Sequence, residues 1–329
     1  MKETFKVVKI LKDRLKRNFE PFAGIFASFG VKKRGNNGQK TRNSLMKLLR
    51  FKEKFTDILK QGYPLQEVNS FFNLLTEEIL GMSRLHVALD PEKEISESEQ
   101  QKLEDALQRL QEHEPIQYIL GETEFFGLTF KVDKNVLIPR PETEELVEWI
   151  LSDVKNLQQK EIRILDIGTG SGCIAISLGK NLPSAKVTAI DISEGALEMA
   201  KRNADFNNVN VEFIQQDILE AEALDSNYDI IVSNPPYVRE LEKKEMQANV
   251  LNNEPAGALY VKDEDPLAFY RKITELATKN IKKGGSLYFE INQYLGEETK
   301  ALLTNNYFTA SLKKDIFGND RMLKGEIKK

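Results

Sequence analysis

Ile162-Arg163-Ile164-Leu165-Asp166-Ile167-Gly168-Thr169-Gly170-Ser171-Gly172-Cys173 is an apolar run that ends in an acid and breaks into a glycine-rich turn. A run of this length bounded by glycines reads as a buried strand, and the apolar residues 174–178 beyond it read as the start of a helix. The pattern then repeats. Residues 187–190 form a second strand ending at Asp191, a helix covers 196–203, and a third strand over 211–214 reaches Gln216 and Asp217. A fourth strand, Asp229-Ile230-Ile231-Val232, runs into Ser233-Asn234-Pro235-Pro236-Tyr237. Strands alternating with helices imply a parallel, doubly wound α/β sheet. Residues 238–264 read as a long loop, 266–278 as a helix, 284–290 as a strand, and 308–312 and 321–327 as the last two strands.

The strand ends carry the chemistry. In open α/β sheets ligands bind beyond the carboxyl ends of the strands. Gly168, Gly170 and Gly172 let the backbone turn tightly and approach a ligand closely. Asp191, about 20 residues on, is where an acid accepts hydrogen bonds from ribose hydroxyls. Two nucleoside cofactors compete. A dinucleotide site favours Gly-x-Gly-x-x-Gly with pyrophosphate on the helix N-terminus, whereas the spacing here is Gly-x-Gly-x-Gly with Asp166 just before it. A carboxylate there would repel pyrophosphate and suits the cationic aminoacyl and sulfonium end of S-adenosylmethionine. Asp217, ending the third strand, is placed to meet an adenine. Each of these acids could instead be a helix N-cap.

Asn234 precedes two prolines, which hold it extended at the sheet edge. Its side-chain oxygen and the Pro235 carbonyl can accept from both N–H bonds of an amide or aromatic amine. That grip favours a more pyramidal nitrogen, so methyl transfer needs only orientation and electrostatics. Tyr237 supplies a packing face for a planar group. The alternative is a strand followed by a Pro-rich turn.

The chain has 329 residues, with Lys+Arg 47 and Asp+Glu 51. As a prior, that length suggests about two domains. One cysteine, Cys173, permits no intrachain disulfide, and His86 and His113 stand apart, without a zinc or histidine-triad pattern. No apolar run reaches the roughly 18 residues of a membrane span. Charge is uneven: residues 1–45 hold 12 Lys/Arg against 3 Asp/Glu, and the rest 35 against 48. The acidic body is a poor match for nucleic-acid phosphates. Residues 1–45 are expected to be a disordered basic extension, with a transit peptide and a nucleic-acid-binding arm as the competing readings. Met46 begins a helical pattern and could be the natural start.

Residues 46–113 read as a small helical domain. Leu48, Leu49, Phe51, Phe55 and Leu59 fall on one helix, and Pro64 opens a second that Gly81 ends. Ser96-Glu97-Ser98-Glu99 is a capping box before a stripe of Leu103, Ala106, Leu107 and Leu110. Residues 114–142 read as a connector with two β-type runs about Gly127, a hairpin, followed by Leu137-Ile138-Pro139-Arg140-Pro141-Glu142-Thr143-Glu144. Arg140, fixed between two prolines, is a candidate substrate contact or a solvated linker charge. Residues 143–329 are assigned to the α/β domain.

The Asp166–Gly172 turn together with Asn234-Pro235-Pro236-Tyr237 resembles the S-adenosylmethionine-dependent amino-methyltransferases. Pro115-Ile116-Gln117-Tyr118, the Arg140 motif and Gly318-Asn319-Asp320-Arg321 narrow the resemblance to the peptide-chain release factor N(5)-glutamine methyltransferases, the HemK/PrmC family. It covers roughly residues 50–329. The resemblance implies a Rossmann-like methyltransferase sheet with a small N-terminal helical domain that helps hold a protein substrate. It implies methylation of the glutamine in the Gly-Gly-Gln loop of class-I release factors, in the cytoplasm, or in an organelle if residues 1–45 are a transit peptide. By motif, Asp166, Gly168, Thr169, Gly170, Ser171, Gly172, Asp191, Asp217, Ile218 and Asn234 would contact S-adenosylmethionine. Asn234, Pro235, Pro236, Tyr237 and Arg140 would contact the substrate, with Asn234, Pro235 and Tyr237 catalytic. Ile218, where some relatives carry an aromatic residue, leaves an apolar contact for the adenine. The rival readings are a nucleic-acid adenine or guanine N-methyltransferase, which would require base flipping into a basic cleft, and a non-catalytic nucleoside-binding module. Neither a stable nucleic-acid partner nor a membrane is expected.

Overall fold

The computed structural model describes residues 45–155, 161–245 and 248–327. The expected basic extension lies, apart from Leu45, outside them. The first part is helical. Leu48–Leu59, Leu65–Leu80 and Glu97–Gln111 bury Phe51, Phe55, Phe72, Leu75, Leu103 and Leu107 in one cluster. Leu49, expected on that stripe, is instead exposed, one position round the helix from buried Leu48. Gly81 ends the second helix in the left-handed region, at φ 63°, which glycine adopts without a Cβ clash. Ser96 and Glu99 form the expected reciprocal cap: Glu99 N–H donates to Ser96 Oγ (3.3 Å) and Ser96 N–H to Glu99 Oε2 (2.7 Å). Met46–Lys47 does not start the first helix but pairs as a short strand with Glu94–Ile95. Two short helices, Arg84–Leu89 and Ile116–Leu120, were not legible from periodicity, being too short to show it.

Ile116 packs with the helical cluster, whereas Tyr118 packs with Val132 and Val136 of the connector and with Ala196 and Met199 of the following domain. The hairpin forms as read. Glu122–Phe125 pairs antiparallel with Leu128–Lys131 about Phe126 and Gly127, both at positive φ, the geometry of a two-residue type I′ turn. It is stitched to the α/β domain by two buried asparagines. Asn203 exchanges hydrogen bonds with the Lys131 backbone (2.7 and 2.9 Å), and Asn207 Nδ2 donates to the Thr129 carbonyl (2.9 Å).

The main sheet has seven strands among the described residues: β1 (Arg163–Ile167), β2 (Lys186–Asp191), β3 (Glu212–Gln215), β4 (Tyr228–Ser233), β5 (Ile281–Glu290), β6 (Phe308–Lys314) and β7 (Asp320–Ile327). Their order is β6-β7-β5-β4-β1-β2-β3. Strands β1 to β5 are parallel, but β7 runs antiparallel to both β5 and β6. The all-parallel expectation is therefore corrected. The short segment 315–319 can join β6 to β7 only as a hairpin, since a parallel pair needs a crossover.

Alternation along the strands splits the core in two. Ile164, Ile230, Val232 and Tyr288 pack on one face with the Pro141–Val154 and Cys173–Asn181 helices. Leu165, Ile167, Ile231, Leu287 and Phe289 pack on the other with the Ala268–Asn280 helix. Each such side chain contributes about 1.5–3 kcal/mol on burial. Residues 238–264 are not an open loop. Val238–Arg239 pairs in parallel with Tyr260–Val261, and the segment between them includes the Ala248–Asn253 and Ala256–Leu259 helices.

Register fixes what meets at the carboxyl edge. Ile167 pairs with both Ile190 and Ser233, and Ser233 with Phe289. The next residues along, Gly168, Asp191, Asn234 and Glu290, therefore share one level. On β5 the register shifts between Ile281 and Ser286. Gly284, at φ 83°, lies in that bulge, and a Cβ on Gly285 would fall 2.6 Å from the Asp229 carbonyl oxygen.

Candidate active site

The glycine turn has two sides. On the inner side Thr169 and Ser171 are buried, and Thr169 Oγ1 donates to Asp166 Oδ2 (2.6 Å), which also accepts from the Ala175 N–H (3.2 Å). On the outer side Gly168 and Gly170, at φ 74° and 55°, have no heavy atom of the described residues within 4 Å of where a Cβ would stand. Gly172 differs. A Cβ there would fall 2.8 Å from Ile176 Cδ1 and 3.2 Å from Ala200 Cβ, so this glycine lets the turn close onto its own helix and the next.

Three N–H groups at the start of the turn are engaged. Gly168 and Thr169 donate to the Ile190 carbonyl (2.8 and 3.0 Å), and Gly170 donates to Asp191 Oδ2 (2.8 Å). With those donors taken, fewer remain for a pyrophosphate. Asp191 Oδ1 accepts from the Ser193 N–H (2.9 Å), which leaves lone pairs on a part-exposed carboxylate for hydroxyl donors. Asp217 Oδ1 accepts from the Leu219 N–H (2.9 Å), beside buried Ile218.

Asp166 is fully buried, and its Oδ1 has no hydrogen-bond partner among the described residues. Buried polar atoms are almost always paired, so an orphan oxygen needs an explanation. Burial pushes this carboxyl up to about 7, opposed by the Thr169 and Ala175 hydrogen bonds. An N–H donor or cationic group reaching the unpaired oxygen would restore the carboxylate. With the space over Gly168 and Gly170, the residues fit a nucleoside ligand with a cationic end, the class to which S-adenosylmethionine belongs.

Asn234 is half-buried and Pro235 buried at the end of β4. Asn234 Nδ2 lies 3.4 Å from Thr143 Oγ1, which donates to Glu290 Oε2 at 2.6 Å. The Tyr237 hydroxyl donates to Glu290 Oε1 at 3.0 Å. Glu290 is 2% exposed. Burial raises its carboxyl above the usual range, while the Thr143 and Tyr237 hydrogen bonds and the charge of Arg321 pull it down. Burial and the Glu290 charge also push the Tyr237 phenol well above its ordinary value, so it remains a donor. The loop beyond is tied down too: Asn292 Nδ2 donates to the Tyr237 carbonyl (3.0 Å) and to Glu242 Oε2 (2.9 Å).

Arg140 lies in another setting. It forms an ion pair with Glu254 (2.5 Å), whose side chain is 1% exposed and which also accepts from the Ile138 N–H (3.3 Å). Asn253, next to it, donates to the His113 carbonyl (2.9 Å). Arg140 thus fastens the 248–254 segment beside the linker, close to the helical part. The structure brings Asp166, the turn, Asp191 and Asn234–Tyr237 to one edge, and gives Arg140 an internal partner. Sequence reasoning missed Thr143, Glu290 and Glu254. Glu290 follows the apolar run Leu287-Tyr288-Phe289 at a strand end, the same signature that drew attention to Asp166 and Asp191.

Comparison with known proteins adds an independent line. A family model described as the methyltransferase small domain matches residues 149–262, and one described as the PrmC N-terminal domain matches residues 53–121. The release factor glutamine methyltransferase of Flavobacterium psychrophilum is 53% identical over 281 residues, which cover 85% of this chain and 99% of that protein. Its counterpart in Bacteroides thetaiotaomicron is 49% identical, covering 80% of this chain and 95% of that protein. The Streptococcus pneumoniae counterpart is 41% identical, covering 84% and 98%. With relatives this similar over nearly their whole length, the chain belongs to the release factor glutamine methyltransferase family.

Proposed function

We propose that this chain transfers the methyl group of S-adenosylmethionine to the side-chain amide nitrogen of the glutamine in the Gly-Gly-Gln loop of class-I release factors, in the cytoplasm. The observation that carries the reading is the adjacency, on one sheet edge, of Asn234 and the glycine turn with its orphan Asp166 oxygen. The family relationship supports the substrate.

S-adenosylmethionine, when bound, supplies an electrophilic methyl group on a sulfonium. Asp166 would accept from its cationic end, Asp191 from its ribose hydroxyls, and Asp217 with Ile218 would border its adenine. Gly168 and Gly170 leave the space it needs, and Gly172 sets the turn that creates that space. Asn234 Oδ1 and the Pro235 carbonyl would accept the two N–H bonds of the glutamine amide, holding the nitrogen and resisting delocalisation of its lone pair. Tyr237, fixed by Glu290, gives the planar amide a wall, and Pro236 stiffens the loop. The nitrogen loses one proton to solvent as it gains the methyl group, so no strong base is required beforehand. Arg140 acts on the substrate only indirectly, by holding the 248–254 segment.

Labelled S-adenosylmethionine, incubated with the protein and a class-I release factor, tests the reading. Label should enter the wild-type factor and be lost when the loop glutamine is replaced. Transfer that persists without that glutamine would sink the proposed target.

A further inference from the structure

The Asn234 amide has two ends of nearly equal size and opposite chemistry: the oxygen accepts and the nitrogen donates. The reaction proposed above needs the oxygen toward the substrate. A half-turn of the amide would present N–H to N–H and lose the grip. Asn234 cannot choose between these orientations by shape, so a neighbour must choose for it.

The hydrogen-bond chain behind it makes the choice. Glu290 is buried and accepts from two hydroxyls, Thr143 at 2.6 Å and Tyr237 at 3.0 Å. A carboxylate only accepts, so the one proton of Thr143 is committed to Glu290. The Thr143 oxygen can then only accept from the amide beside it, at 3.4 Å. The amide atom facing Thr143 must therefore be Nδ2, and Oδ1 faces the other way. This polarity follows from the chemistry of Glu290, whichever way an amide is drawn. It survives protonation of the carboxyl on Oε1, because Oε2 still accepts.

We infer that Glu290 is a positioning residue for the methyl transfer: through Thr143 it sets the orientation of the Asn234 amide, and through Tyr237 it holds the facing wall. The inference rests on the role proposed for Asn234. Glu290 touches neither substrate nor methyl donor; its effect is carried by direction along a chain of hydrogen bonds.

Glu290→Gln leaves one acceptor for two hydroxyl donors and adds an NH2 group that can reverse Thr143. Turnover should fall about 10-fold to 100-fold, with the KM for the release factor and the dissociation constant for S-adenosylmethionine within about threefold. Thr143→Val should cause a similar loss, and Thr143→Ser, which keeps the hydroxyl, should restore most of it. Adding Thr143→Val to Glu290→Gln should deepen the loss little, since the Thr143 link is already broken. A kcat for Glu290→Gln or Thr143→Val within twofold of wild type overturns the inference. So do losses that multiply in the double variant, or a Thr143→Ser enzyme as slow as Thr143→Val. Neutron diffraction of the perdeuterated wild-type protein decides the matter without any variant. Deuterium on Thr143 pointing to Glu290, with the deuterated Nδ2 of Asn234 toward Thr143, is the expected map; the reverse polarity overturns the relay. If wild-type protein methylates no release factor, the proposed function fails, while the neutron map still judges the relay.

Discussion

Replacing Arg140 separates a strut from a substrate contact. Arg140 pairs with Glu254 at 2.5 Å, and the carboxylate is 1% exposed while the arginine side chain is 33% exposed. In Arg140→Met, Glu254 keeps, among the described residues, only the Ile138 N–H, at 3.3 Å. Removing one partner of a buried pair costs about 3–5 kcal/mol. Water can reach the site from the exposed arginine side, so the lower end, about 3 kcal/mol, applies. At about 2 cal/mol/K per residue, a chain of this size loses about 5 °C in melting temperature. Adding Glu254→Gln removes the stranded charge, and the double variant should recover most of the loss, because exchanging both partners of such a pair is often near neutral. Thermal and urea unfolding of the wild type, both single variants and the double variant give the cycle. Steady-state kinetics with a release factor, run well below the melting range, gives KM. An Arg140→Met protein that melts within 1 °C of wild type but shows a tenfold higher KM would refute the strut and return Arg140 to the substrate surface.

Asn234→Ala should abolish methyl transfer while the dissociation constant for S-adenosylmethionine, measured by calorimetry, shifts by less than about 1 kcal/mol, the size of one lost neutral hydrogen bond; unchanged turnover would remove Asn234 from the mechanism. Asp191→Ala should weaken cofactor binding by about 2 kcal/mol or more, since it removes a charged acceptor and frees the Gly170 N–H; an unaltered dissociation constant would count against the ribose contact. Asp166 titrates near 7 when folded and near 4 when unfolded, so between those values the folded state holds a proton that the unfolded state has released. Its contribution to stability is therefore complete below about pH 4 and lost as pH rises through about 7, by up to about 4 kcal/mol. Asp166→Asn should flatten that slope, and equal slopes in denaturant titrations from pH 5 to pH 8 would show that Asp166 does not titrate there. Gly172→Ala should cost about 2 kcal/mol or more from positive φ and the 2.8 Å approach to Ile176, whereas Gly257→Ala, with nothing within 4 Å, should melt like wild type.

The five parallel strands and the acids at their ends were readable because each strand is an apolar run closed by a glycine, a proline or a carboxylate. Asn234 was readable because two prolines announce an extended residue. Thr143 and Glu290 were not, although both stand in plain view in the sequence. Thr143 reads as a first-turn helix residue and Glu290 as a strand terminus. Their meeting is a contact between positions 147 residues apart, set by the packing of the Pro141–Val154 helix against β5, which periodicity does not contain. The antiparallel direction of β7 was missed because strand direction leaves no mark on an alternating pattern. The 238–264 segment was read as loop because its strands are two residues long. Arg140 looked like a presented charge because its acid lies 114 residues away.

The bulge in β5 also bears on which length changes the chain can survive. Between Ile281 and Ser286 the ladder with β4 gains extra residues, and from Ser286 to Phe289 it is regular. An insertion or deletion within 282–285 alters only the size of the bulge, and Glu290 stays beside Asn234. The same change after Ser286 moves Ile291 or Phe289 into its place and turns the strand over, exchanging inward and outward faces. The bulge, whose near edge is about 15 Å from Glu290 at 3.3 Å per residue, thus works as an expansion joint. Drift in length among descendants of this chain should collect at the bulge and be missing from the four residues that follow it.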